Sequence, residues 1–152
     1  MGSRWECWSN RIREELIDVS GKIILFVVAC YWVYKLGLAT RMVFRSQTPA
    51  WSDALGVDLS VWLAIGWINA IHTVVWVIIG VLALLGQLQA VLLLGIFTYG
   101  MMISDLIVNV PMYERLARIN PSLYPKSFRM AVVRVVIIQG FFVAYAGWLV
   151  RG

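Results

Sequence analysis

The chain has 152 residues, 61% of them apolar and only 14% charged, with a mean hydropathy of +0.81. A soluble domain carries about 25% charged residues to coat its core, so the composition excludes an ordinary water-soluble fold and points to lipid. The net charge of +5 comes from 13 basic and 8 acidic residues. The basic ones are dispersed over loops and segment ends, not gathered into the basic face that nucleic-acid binding requires, so no nucleic-acid partner is expected.

In chain order, Ser3-Arg4-Trp5-Glu6 has the form of a helix-capping box. Trp5, Trp8, Ile12, Leu16 and Val19 follow at spacings of 3, 4, 4 and 3, which put them on one helical face, with Glu6, Arg13, Glu14 and Asp18 opposite. The pattern predicts an amphipathic helix over about 4–19. It would lie in the membrane interface, anchored by Trp5 and Trp8, or pack against a neighbouring subunit. Acidic residues are interleaved throughout this region and no cleavage site follows it, unlike a signal peptide. Cys7 and Cys30 are too few for a disulfide scaffold.

A first span is predicted over about 21–44, with Lys35 inside it. In the loop that follows, Pro49 reads as a turn and Trp51 as an interface anchor. Residues 59–104 then contain no Asp, Glu, Lys or Arg, a run of 46 residues. As one helix it would extend about 69 Å, twice the roughly 30 Å of a bilayer core. It must therefore double back, and Gly86-Gln87-Leu88-Gln89 is the natural place. Two spans are predicted, about 59–85 and 88–110. Residues 111–125 read as a loop with short helical turns, stopped by Asn120-Pro121 and Tyr124-Pro125. Ser127 is placed to cap a last span over about 128–150.

The expected architecture is thus all-α: one domain, a four-helix integral membrane bundle behind an N-terminal amphipathic interfacial helix. Four spans put both termini on one side, with Arg4, Arg11, Arg13, Lys22 and Arg151. The side with the two long loops carries Lys35, Arg41, Arg45, Arg115, Arg118, Lys126 and Arg129. This small excess turns the loops toward the cytoplasm or the mitochondrial matrix. A bacterial or mitochondrial inner membrane is the expected location.

Polar residues inside the spans are the candidate functional residues. His72, the chain's one histidine, falls at the centre of the second span, and Asn69 precedes it by one turn. Asp105 and Arg134 fall at similar depths in the third and fourth spans and are expected to form an interhelical ion pair, with Lys35 deeper on the same side. Asn69, His72, Asp105, Arg134 and Lys35 form a predicted intramembrane cluster. It either fixes helix register or lines a pocket for a quinone, lipid head group or proton path. One histidine and two cysteines do not make a zinc site, and no metal or cofactor is expected beyond bound lipids. Gly140, Ala144 and Gly147 are spaced as a helix-packing seam on the last span. Gly66 and Gly80 sit in a second seam with Trp62, Asn69, Thr73 and Trp76.

No nucleophile elbow, phosphate-binding glycine loop or metal-ligand pair is present. The sequence therefore points to a non-catalytic accessory subunit of a multi-subunit membrane complex, best placed in a respiratory or ATP-synthesising assembly. Its partners would be lipids and other subunits. The alternative is a small membrane enzyme or carrier that binds a hydrophobic substrate around His72.

Overall fold

Every described element is helical. The computed structural model describes residues 4–45, 56, 58–119 and 132–151, and the side chains from residue 15 onward within these except at 42, 62, 108–117 and 119. Ser3, Trp51, Ser127 and the expected start of the last span at 128–131 lie outside the described residues, as do the side chains of Trp5 and Trp8.

Helix α1 runs unbroken over Arg4–Arg45, 42 residues. This corrects the division into an interfacial helix at 4–19 and a separate span at 21–44. The junction holds no proline. Asp18 and Lys22, one turn apart, form a salt bridge of 2.5 Å across it, and the Ser20 hydroxyl donates to the carbonyl of Ile17 at 3.0 Å. The ion pair favours helix at the point where a bend was expected.

Helix α2 (Leu59–Leu84) begins at Asp58, whose carboxylate accepts the Ser60 N–H at 3.1 Å. This is a normal N-cap. Helix α2 ends where the sequence places the reversal. Gly86 has φ +73°, a conformation glycine adopts without strain. The Gln87 N–H donates to Leu82 O at 2.9 Å and the Gly86 N–H to Ala83 O at 3.1 Å. These two bonds define a Schellman ending, which satisfies carbonyls that the helix end would otherwise leave bare. Helix α3 (Leu88–Ile119) starts immediately.

Helix α3 continues through Pro111, past its expected end at 110. After residues 120–131 the chain forms a π-helical turn (Arg134–Gln139) leading into α4 (Gly140–Arg151).

The four helices close a ring: α1 lies along α2, α2 on α3, α3 on α4, and α4 returns to α1. Glycines set the closest approaches. A Cβ on Gly66 would stand 2.8 Å from Val43 Cγ1, one on Gly21 2.8 Å from Leu149 Cδ2, and one on Gly95 2.9 Å from Phe142 Cε1. Gly66 and Gly80, placed by their spacing in one seam, both lie buried and face α1. The seam predicted on α4 is displaced. Ala144 is exposed, and Gly140 and Gly147 are half-buried beside Tyr99 and Leu92. The buried stripe is instead Val135, Gln139, Phe142 and Ala146. The space was on the other helix: Gly95 opens a gap in α3, and Phe142 fills it.

Four helices are long and apolar enough to cross a membrane: Glu15–Arg45, Leu59–Leu84, Leu88–Ile107 and Arg134–Arg151. Only 22–28% of each is buried within the bundle. The outward remainder is aliphatic and aromatic even at mid-length, at Val27, Ile71, Phe97 and Ile137. An exposed apolar surface of this extent marks a region that meets lipid or another protein.

Gly95→Leu and Gly66→Leu should each destabilise the bundle by about 1–3 kcal/mol through overpacking, whereas Gly100→Leu, with nothing within 4 Å of its Cβ position, should leave it unchanged. Unfolding in mixed micelles by SDS titration measures the difference.

Candidate functional site

Helix α2 presents His72, Trp76, Ile79 and Ala83 as one buried stripe at spacings of 4, 3 and 4. Trp76 is fully buried at the middle of the ring. Its indole stacks on Trp32 of α1 at 6.0 Å between centroids, with 24° between planes. Its edge meets Phe142 of α4 at 5.1 Å. Trp32 in turn meets Tyr31 edge-on at 5.5 Å. Three helices are thereby joined through one aromatic cluster, and α3 enters through Gly95, against which Phe142 sits.

A hydrogen-bonded pair lies beside this cluster. Gln139, at the end of the π-helical turn, is fully buried, as is Thr98 of α3. The Gln139 amide donates to Thr98 Oγ1 at 3.1 Å and to the Gly95 carbonyl at 3.2 Å. The Thr98 hydroxyl turns back on its own helix, toward the carbonyls of Leu94 at 2.9 Å and Gly95 at 3.0 Å. The pair therefore ties α4 to α3 with a polar contact inside an apolar bundle. Sequence reasoning missed both residues. The available signal was a lone amide in Val135-Val136-Ile137-Ile138-Gln139 and a lone hydroxyl in Leu94-Gly95-Ile96-Phe97-Thr98.

Polar atoms here outnumber their partners. His72 Nε2, Trp32 Nε1, Trp76 Nε1, Gln139 Oε1 and Thr40 Oγ1 are buried without a hydrogen-bond partner among the described residues. Each such atom costs about 1–3 kcal/mol when left unpaired. Five together would consume much of the roughly 5–15 kcal/mol by which a domain is stable.

The five residues of the predicted cluster lie on all four helical segments. His72 is buried in the core stripe, and Asp105, half-buried on α3, is within electrostatic reach of it. Asn69 is half-buried one turn from His72, and its carbonyl accepts the Thr73 hydroxyl at 2.8 Å. Lys35 belongs elsewhere: its ammonium lies over the rings of Tyr31 and Tyr34, at 5.9 and 5.6 Å. That placement stabilises a cation by the ring quadrupoles. Arg134, half-buried, opens the π-helical turn. Among the described residues a salt bridge joins Asp18 and Lys22 on α1.

Among the described residues no group of three His, Cys, Asp or Glu is placed to hold a metal ion. Cys30 is exposed on the outside of α1. The centre offers hydrogen-bond donors and acceptors and aromatic faces, but no nucleophile beside a base. No protein-family model, curated protein or solved structure matches the chain.

Trp76→Ala should destabilise the bundle by about 3–5 kcal/mol, since it removes a ring in contact with two other helices. Trp148→Ala, more than half exposed, should change stability by less than about 0.5 kcal/mol. Parallel SDS titrations of the two variants give the comparison.

Proposed function

We propose that the chain is a four-pass integral membrane protein and a non-catalytic accessory subunit of a larger membrane complex. The reading is carried by the N-terminal extension of α1. Gly21 meets Leu149 and the Lys22 side chain meets Gly86, so α1 passes the level of the 85–87 turn at residues 21–22. Residues 4–19 continue past that level for about 24 Å of helix. Leu16 and Val19 are exposed there, at 64% and 55%. In the sequence, Trp5, Trp8 and Ile12 precede them at helical spacing. Past the level of the turn this exposed apolar strip has no partner helix among the described residues, and such a strip marks a protein contact. Lipid covers the aliphatic girdle of the four spans. The subunit's work is to pack against larger neighbours and hold lipid between them.

A second reading is favoured by one observation, the unpaired Nε2 of His72. It makes the chain a small carrier or enzyme that binds a quinone or lipid head group at the bundle centre.

The two separate on native purification. Tagged chain extracted in mild detergent should bring down a fixed set of larger subunits, with respiratory or ATP-synthesising subunits the expected companions. The Leu16→Asp/Val19→Asp double variant should lose them at least tenfold while remaining in the membrane. Isolation as a lone monomer or homo-oligomer, holding a quinone or lipid that His72→Ala releases, would replace the first reading with the second.

A further inference from the structure

The centre of the bundle holds several atoms that no described residue satisfies. Trp32, His72, Trp76 and Gln139 are each at least 95% buried. The indole nitrogens of Trp32 and Trp76, Nε2 of His72 and Oε1 of Gln139 have no hydrogen-bond partner among the described residues. Their side chains belong to linked parts of the core. Trp76 contacts Trp32 and Phe142 through its ring. His72 lies one turn before Trp76 on α2, and Gln139 lies one turn before Phe142 on the last helix. Three helices thus contribute orphan atoms, and the fourth, α3, anchors Gln139 through Thr98 and Gly95.

We propose that internal water is bound there, between the indole N–H groups of Trp32 and Trp76, the imidazole Nε2 of His72 and the amide oxygen of Gln139. The balance of donors and acceptors selects the ligand. Both indoles only donate, the Gln139 oxygen only accepts, and an imidazole nitrogen does either according to its tautomer. The ligand must therefore accept from two groups and donate to at least one. Water does both, and buried waters typically make about three such bonds. A quinone or ester carbonyl only accepts, so it would leave Gln139 Oε1 unsatisfied. A cation would find one oxygen and two repelling N–H groups. An acyl chain would satisfy none of them.

The π-helical turn fits this role. Such turns are rare and occur mostly at functional sites. Here the turn ends at Gln139, whose amide nitrogen is committed to α3 while its oxygen is not. Gln139 is therefore fixed in orientation before any water binds. Trp32, Trp76 and Phe142 are themselves buried, Trp76 and Phe142 almost completely. The site is a buried polar point in an apolar bundle, independent of which partners the subunit meets.

The test uses the full chain, ¹⁵N-labelled, in phosphatidylcholine nanodiscs. Water-selective magnetisation transfer is read at the Trp Nε1–H signals, of which the chain has eight. Trp32→Phe and Trp76→Phe assign the two of interest. Both should receive water magnetisation, although they are buried in the bundle. Gln139→Met, which keeps the length and removes the acceptor, should cut transfer to Trp76 at least twofold. Absence of transfer to both indoles in the wild type overturns the proposal. So does transfer from an added quinone or from lipid carbonyl neighbours in place of water. Should a variant not fold, density for the wild-type chain at better than about 2 Å decides. A water peak within hydrogen-bond distance of the indole nitrogens supports the site, and directly packed side chains with no such peak refute it.

Discussion

A backbone with no charged neighbours for 46 residues has few ways to satisfy its own polar groups. In an apolar medium every N–H and C=O needs an internal partner, and only a helix supplies them within one segment. The chain must nevertheless reverse, because the run is too long for one crossing. The reversal at Gly86 meets both demands: its Schellman bonds close the end of α2, and α3 begins after three residues. The rest of the bundle follows from this hairpin. It sets α2 and α3 antiparallel at contact distance, and α1 and α4 complete the ring against their outer sides.

Under the proposed membrane reading the hydrophobic effect does not distinguish inside from outside of such a ring, and shape and hydrogen bonds decide how the helices dock. Gly66, Gly95 and Gly21 admit side chains from the facing helix at under 3 Å from a would-be Cβ. The large rings fill the centre, with Trp76 between Trp32 and Phe142. The Gln139–Thr98 contact fixes the register of the last helix against α3. The same residues that hold the bundle together also produce its polar centre, because a tryptophan brings an N–H wherever its ring is used for packing.

Much of the bundle was legible in the sequence because it depends on local chemistry. The uncharged run and Gly86 as a break place α2 and the start of α3 to within a residue. The stripe His72–Trp76 and the buried Gly66 and Gly80 follow from the 3.6-residue period. Three features were not legible. The continuity of α1 depends on a side-chain pair, Asp18–Lys22, that bridges an otherwise plausible break. The buried face of α4 depends on a gap in another helix at Gly95, which no pattern within α4 reports. The placement of Lys35 over Tyr31 and Tyr34 depends on rotamers. The candidate site was half visible: His72 stood out as a lone imidazole, whereas Gln139 and Thr98 look unremarkable until two helices bring them together.

The most direct test of the central claim is sidedness. With Cys7 and Cys30 changed to serine, single cysteines are placed at Arg45, Gln87 and Arg151, all exposed, and labelled in sealed vesicles with a membrane-impermeant maleimide. Four crossings with a reversal at Gly86 require Gln87→Cys and Arg151→Cys to react from one side and Arg45→Cys from the other. Reaction of Arg45→Cys and Gln87→Cys from the same side would contradict the four-crossing arrangement, and with it the reading of residues 59–110 as a lipid-embedded hairpin.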